Sequence, residues 1–213
     1  MNKRVKNKLV WGVGKNDADY VVQKFTNITG EFYQNGLSKQ KLEWSCPIYQ
    51  IWKSLLQRCY SPNWQEANHT YVECTVEESW LLFSNFRDWV VRQDWEGNQL
   101  DKDILFLGNK HYSEDTCVFI SQELNKFLTE STKAKGEYPT GVSWRKDIKR
   151  FAVRCSNPFT KKREFLGMFD CQREAGSVWL KRKIDLAHIF AGMQKDQRVA
   201  DALISRYENY KID

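Results

Sequence analysis

No stretch of the 213 residues approaches the roughly 20 consecutive apolar residues of a membrane-spanning helix, and the basic opening segment MNKRVKNKLV lacks the apolar run of a secretory leader. The expectation is a soluble, cytoplasmic protein. None of the six cysteines (Cys46, Cys59, Cys74, Cys117, Cys155 and Cys171) falls in a C-x-x-C pair, so neither a disulfide framework nor a standard structural zinc site is signalled. Reduced thiols are the simplest reading, and zinc held by Cys59, Cys74 and Cys117 is the one metal-thiolate arrangement left open. There is no internal repeat and no low-complexity tract. What is present suits burial: 41% of residues are hydrophobic and 14% aromatic, which excludes global disorder, and the length suits one large domain or two small ones.

The net charge of +6 is unevenly spread. Between Tyr138 and Phe190 there are twelve Lys or Arg against five Asp or Glu, a net of +7, and the remainder of the chain sums to −1. A concentrated basic surface raises the local density of polyanions and releases their counterions, the footprint of a nucleic-acid-binding module. A merely solvated basic face stays open on charge alone.

Turn signals give the boundaries. The segment TKAKGEYPTG gathers small, charged, Gly and Pro residues and reads as a linker over 132–137. It separates a module over 45–131 from a basic one over 138–191, with a basic, extended segment at 1–44 and a helical tail at 192–213. In the first module, Ile48, Ile51, Trp52, Leu55, Leu56 and Cys59 recur at helical spacing after Pro47, and Pro62 ends that helix. The stretch VEESWLLFSNFRDWVV predicts a second helix with Trp80, Phe83, Phe86, Trp89 and Val90 on one face; the tryptophans read as core. Beyond the turn at Gly97, the stretch LDKDILFLGNKHYSEDTCVFI predicts two short strands around Gly108, followed by a helix that Ser121 caps. In the basic module, GVSWRKD, KRFAVRCSN and REFLGMFD alternate as three strands, and Glu174, Ala175, Val178, Trp179 and Leu186 mark a covering helix. LKRK, Leu180 to Lys183, reads as a solvated helix face. The tail predicts an amphipathic helix with Val199, Leu203 and Tyr207 on one side.

Strand, loop, strand, helix is the order of a ββα-metal motif. Leu100, Asp101, Asp103, Asn109, Tyr112, Ser113, Glu114, Cys117 and Asn125 resemble the core of HNH-type nucleases of bacteriophage and mobile elements, and the likeness spans about Cys46 to Leu128. The resemblance implies Asp101 and Asn125 as ligands of a divalent metal, Mg²⁺ or Mn²⁺, with Asp103 assisting and Asn109 tying the loop. Carboxylate and amide oxygens suit such a hard ion, which stabilises charge on a phosphodiester as water attacks. Two positions depart from the family. Lys102 stands where the general-base histidine is usual, which leaves either His111 as a substitute base or Lys102 as a phosphate-stabilising cation; His111 as a plain surface loop residue is the alternative. Thr116 stands where many relatives carry Asn, and weaker loop-fixing hydrogen bonds are expected.

From Tyr138 the chain closely resembles the AP2 DNA-binding domain, through Tyr138, Gly141, Val142, Phe151, Leu166, Gly167, Phe169, Glu174, Ala175 and Trp179. In that family the three-stranded sheet enters the major groove of double-stranded DNA. Strand alternation places Phe151 and Val153 on one face and Arg150, Ala152 and Arg154 on the other, the expected DNA face. Trp144, Arg145, Lys146, Lys149 and Arg163 complete the expected contacts.

The two resemblances together imply an α+β protein in which a helical, ββα-metal nuclease module is followed by an AP2-like three-stranded antiparallel sheet plus helix. They imply a site-directed, homing-type DNA endonuclease, working in the host-cell cytoplasm if phage-borne, with no membrane and no organic small-molecule cofactor. The rival reading is a sequence-specific DNA-binding protein whose nuclease module has decayed. An RNA-binding factor is disfavoured, since no exposed stacking motif is found. Nothing in the sequence sets the oligomeric state.

Overall fold

The computed structural model describes residues 9–33, 38–130 and 137–212, and over them the chain is a mixed α+β protein of six helices and small sheets. It divides into two compact units, 1–96 with 108–117, and 97–107 with 118–213, so the backbone passes between them three times. Among the described residues no helix is long and apolar enough to cross a membrane.

The first unit opens with an antiparallel ribbon, β1 (Gln23–Phe32) and β2 (Ser38–Ser45). Helix α1 (Pro47–Tyr60) follows, with Pro47 in its first turn, where no N–H is needed. It stops before Pro62, which starts the short α2 (Pro62–Ala67) under a Ser61 cap. Then come β3 (Thr75–Val76), a 3₁₀ turn at Glu78–Leu81, α3 (Phe83–Val90) and, after the excursion through the other unit, β5 (His111–Tyr112), which pairs in parallel with β3. The core is aromatic. Tyr49, Trp52 and Phe83 lie 5.1–5.6 Å apart between ring centroids, Trp80 packs on Phe86 and Trp89, and the Trp52 indole donates to the Trp80 carbonyl at 2.7 Å.

The single helix expected from Val76 to Val91 is broken at Leu82. Backbone competition explains the break. Lys15 donates to the Leu81 carbonyl and accepts from the Phe83 amide, at 2.8 and 3.1 Å, so those groups pair with an incoming strand segment instead of a helical turn. Asp17 then caps the new N-terminus, accepting from the Ser84 amide at 2.9 Å and the Ser84 hydroxyl at 2.6 Å. Burial pushes the Asp17 carboxyl upward, but these hydrogen bonds and the nearby Lys15 outweigh it and hold the group below the ordinary range.

The second unit joins a strand pair to a larger sheet. β4 (Gln99–Asp101) runs antiparallel to β6 (Val118–Ile120), in the register Gln99↔Ile120 and Asp101↔Val118. Helix α4 (Gln122–Glu130) follows, with Ser121 Oγ accepting from the Leu124 amide at 3.1 Å, as expected of its cap. The expected hairpin around Gly108 is corrected: β4 pairs with β6, not with β5. The Asp101 carboxylate accepts from the amides of Asp103 and Ile104, bends the chain out of the strand and sends Ile104 into the core.

Strands β7 (Val142–Arg145), β8 (Arg150–Asn157) and β9 (Lys162–Phe169) form an antiparallel sheet in that order, and α5 (Gln172–Gly192) covers one face. One apolar core holds Val118, Ile120, Leu124 and Phe127 together with Val153, Trp179, Leu186 and Phe190. The β4–β6–α4 segment therefore belongs with the sheet rather than with α1–α3, which differs from the division expected at 132–137; residues 131–136 lie outside the described residues. The tail helix α6 (Gln197–Glu208) closes the same core with Val199, Leu203 and Tyr207.

Lys183, expected in a solvated LKRK face, is 1% exposed. It shares the buried helix face of Trp179, Leu186 and Phe190, with its ammonium 3.8 Å from the Phe127 ring centroid and donating to the Phe127 carbonyl at 3.4 Å. Its neighbour Arg182 pins α5 to β9 through two bonds to Glu164, at 2.7 and 3.0 Å, and Asn157 donates to the same carboxylate at 2.6 Å. These partners hold the Glu164 carboxyl down to about 2, against 4.5 for a free side chain. The depressed value means stability present above the unfolded pKa and lost as pH falls from about 4.5 toward 2. Glu164→Gln is expected to destabilise this unit by about 1–2 kcal/mol at neutral pH, after discounting for solvent screening. Denaturant unfolding should show that gap closing as the pH approaches 2; a gap of constant size would remove the ion pair from the account.

Candidate functional site

Two surfaces of the second unit carry most of the residues that the sequence singles out. The first is the end of β4. Asp101 Oδ1 accepts from the Asp103 and Ile104 amides at 2.8 and 2.7 Å, while Oδ2 makes no hydrogen bond to a described residue. Burial pushes the Asp101 carboxyl above its ordinary value; the two amide bonds oppose the rise without cancelling it, and the charge of Asp103 adds to it. Asn125, on α4, donates its amide to Gln99 Oε1 at 2.5 Å. Residues 99 and 101 share one face of β4, so Asn125 is held on the side from which Asp101 projects. The Asn125 Oδ1 atom likewise makes no hydrogen bond to a described residue.

A carboxylate oxygen and an amide oxygen, neither hydrogen-bonded to a described residue, are donors that a hard cation takes, with water filling the other positions. Among the described residues no group of three or more His, Cys, Asp or Glu could hold a metal, so a candidate site must draw on the Asp101–Asn125 type of pair and not on a richer cluster. Cys59, Cys74 and Cys117 are buried, are not in disulfides, and form no such group among the described residues.

Lys102 and Asp103 occupy each other. The Lys102 ammonium donates to both Asp103 oxygens at 2.8 Å, and its side chain is only 6% exposed. Both Asp103 oxygens accept from that ammonium. The expected assisting role of Asp103 and the phosphate-stabilising role of Lys102 would each require this ion pair to open.

In the first unit, Asn109 ties its loop as expected, donating to the His111 carbonyl at 2.6 Å and accepting from the His111 amide at 3.0 Å. Thr116 also fixes the loop: its hydroxyl donates to the same carbonyl at 2.7 Å and accepts from the Ser113 amide at 3.1 Å. The expectation of a weakened loop is corrected. His111 is not in a plain loop but in β5, and its Nδ1 lies 2.9 Å from Thr75 Oγ1. When Nδ1 carries the proton and donates to Thr75, Nε2 keeps its lone pair, the arrangement that a general base requires.

The second surface is the open face of the three-stranded sheet. Pairing of Arg145 with Arg150, of Ser143 with Ala152 and of Arg154 with Phe165 aligns these residues on the face opposite Val153 and Cys155, which lie in the core. Arg163, paired with Ser156, extends the row. Phe165 is 54% exposed, and the Arg154 guanidinium lies over its ring at 5.7 Å. Trp144 is placed otherwise than expected. Its register partner is Phe151, and the two rings pack in a tilted arrangement with centroids 4.7 Å apart, on the side where Phe151 meets the core. Lys146 is exposed in the β7–β8 turn, and Lys149 holds a left-handed backbone there with φ of 51°.

Phe165, Gln99 and Thr75 are site residues that sequence reasoning misses. The first two follow the period of two from Arg163 and Asp101, a signal present in the sequence. Thr75 lies 36 residues from His111 and leaves no signal.

Gly141 is needed for the sheet edge. Its φ is 80°, and a Cβ there would stand 2.7 Å from the Arg154 carbonyl. Two arginines carry local carboxylates: Asp170 takes Arg150 at 2.8 and 3.1 Å, and Asp147 takes Arg145 at 3.0 and 2.8 Å. Both pairs are exposed, so they cost little to open and keep the guanidinia oriented until a stronger anion arrives. Comparisons with family models, curated proteins and solved structures return no match to this chain.

Arg150→Ala with Arg154→Ala is expected to weaken binding to duplex DNA and to lower the slope of log affinity against log salt by about 0.9 for each phosphate no longer neutralised. Asp170→Ala should act in the opposite direction. Equal slopes for wild type and double variant, measured by fluorescence anisotropy, would remove this face from the interface.

Proposed function

We propose that the protein is a site-directed, homing-type DNA endonuclease, in which an HNH-like ββα element cuts and an AP2-like sheet selects the site. The observation that carries the reading is the sheet with one face closed by α5 and the other lined by Arg145, Arg150, Arg154 and Arg163 around the exposed Phe165. A three-stranded antiparallel sheet open on its basic face suits a DNA groove, where arginine reads guanine bidentately and lysine holds phosphate. The exposed Lys146 and the turn residue Lys149 serve as phosphate contacts. Trp144, packed on Phe151, supports the sheet instead of touching DNA.

Asp101 Oδ2 and Asn125 Oδ1 fit a Mg²⁺ or Mn²⁺ ion, which when bound supplies charge stabilisation at the scissile phosphate. The chain's own residues do the rest. Asp101 presents one oxygen because its other is fixed by two amides, and Gln99 holds the Asn125 amide so that its oxygen faces away. Hydrolysis joins a water oxygen to phosphorus as one P–O ester bond breaks; the water loses a proton, and the departing alkoxide gains one. By the family resemblance His111 is the candidate to take that proton, and within its own unit its Nδ1 lies 2.9 Å from Thr75 Oγ1. Lys102, clamped by Asp103, is not such a candidate.

That clamp also favours the second reading, a DNA-binding protein with a silent nuclease element, because the family's base position is occupied by a side chain that cannot act as one. Supercoiled plasmids carrying candidate targets, incubated with Mg²⁺, Mn²⁺ or EDTA, separate the two. We expect metal-dependent nicking by the wild type, a loss of about 10²-fold or more in Asp101→Ala and His111→Ala, and a smaller loss in Asn125→Ala. Specific retention of DNA without cleavage under either metal establishes the second reading.

A further inference from the structure

The ribbon formed by β1 and β2 takes no part in either surface described above. Its middle is exposed on both faces, from Lys24 to Asn27 on one strand and from Lys41 to Trp44 on the other, with Val22 and Ser45 buried at its root. The pairings Lys24↔Trp44 and Thr26↔Lys41 set those four side chains on one face, and Phe25↔Leu42 with Asn27↔Gln40 set the other. The Lys24 ammonium lies over the Trp44 ring at 5.9 Å. A two-stranded ribbon with neither face covered is marginal by itself, so ten- and eight-residue strands held in this state are poised for a partner. The bulge after Lys24 adds to the twist of the ribbon.

We propose that this ribbon is a second DNA-binding element, which lies in the major groove with Lys24 and Lys41 toward phosphates and Trp44 against the sugar–base edge. The proposal rests on the DNA-binding reading above. Width and chemistry favour duplex DNA as the occupant. An antiparallel ribbon is narrow enough for the major groove, and this one presents lysine, threonine, asparagine and glutamine side chains, the types that hold phosphate and base edges. Among the described side chains of the ribbon, Glu43 is the one carboxylate set against Lys24, Lys39 and Lys41, and the sequence adds Lys3, Arg4, Lys6 and Lys8 upstream. A second copy of the chain is the poorer occupant, because the apolar pair Phe25 and Leu42, each 44% exposed, is far smaller than the roughly 800 Å² per partner of a stable interface. A second contact on the same chain also raises affinity through effective concentration, without improving the sheet's own contacts.

The test uses the full chain and a fluorescent duplex of about 40 bp, with affinity followed across a salt series near 0.1 M. Lys24→Gln with Lys41→Gln is expected to weaken binding about tenfold and to lower the log–log salt slope by nearly 2, at about 0.9 per neutralised phosphate. Lys24→Arg with Lys41→Arg should restore both, which separates charge from folding. If Arg150→Ala with Arg154→Ala lowers the slope and the ribbon variants do not, the sheet reading stands and the ribbon proposal falls. If neither pair changes it, both fall. Should Phe25→Ser with Leu42→Ser convert a dimer to a monomer in sedimentation while the lysine variants bind DNA normally, the ribbon is a self-association surface and the proposal is overturned.

Discussion

Phe127 is the residue on which the second unit turns. Its ring packs on Phe190 and Tyr207 with centroids 5.1 Å apart in both cases, its face receives the Lys183 ammonium, and its carbonyl accepts from the Tyr207 hydroxyl at 3.2 Å. Helix α4 is thereby fixed to α5 and α6 by apolar contact, cation–π attraction and hydrogen bonding at one place. A buried ammonium costs several kcal/mol unless it is engaged, so the arrangement also selects one register of the helices against alternatives that would leave Lys183 stranded. The functional consequence is geometric. The strand that carries Asp101 and the sheet that carries the arginine row share one core, so the spacing between Asp101 and that row is set by packing and not by a tether.

That spacing is not legible in the sequence, because the linker-like composition around Thr132 to Gly141 suggests a boundary and says nothing about what packs across it. The local elements are more accessible. Strands β7 to β9 and helices α5 and α6 fall within a few residues of expectation, because alternation at period two and apolar spacing at 3.6 are strong where one face is buried and the other wet. Helix α3 shows the opposite case. Its apolar stripe continues unbroken through Leu82, but a distant segment at Lys15 captures the backbone groups and breaks the helix, and periodicity carries no trace of such a competitor.

The candidate site divides in the same way. Asp101, Asn109 and Asn125 stand out in the sequence by residue type; Asn109 ties its loop by hydrogen bonds, and Asp101 and Asn125 are held by the Asp103 and Ile104 amides and by Gln99. Lys102 stands out as a departure, but its state depends on the next residue: the clamp to Asp103 turns a candidate catalytic cation into a buried structural one. Thr116 looks deficient beside asparagine, whereas its hydroxyl both donates and accepts within the loop. Side-chain identity gives the inventory of donors and acceptors, and only geometry assigns them.

The arginine row extends that point to recognition. Arg150 and Arg145 are held by exposed carboxylates one or two residues beyond a strand end, so any anion that takes them must displace Asp170 and Asp147. Exposed pairs of this kind are worth little, and a polyphosphate with its released counterions outcompetes them at low salt and less so at high salt. Under the proposed DNA-binding reading the carboxylates would weaken nonspecific binding most, since a loosely docked backbone offers no second hydrogen bond to offset the displacement, whereas a guanine edge met bidentately does. Under that reading Asp170 and Asp147 would belong to the selectivity of the sheet rather than to its stability.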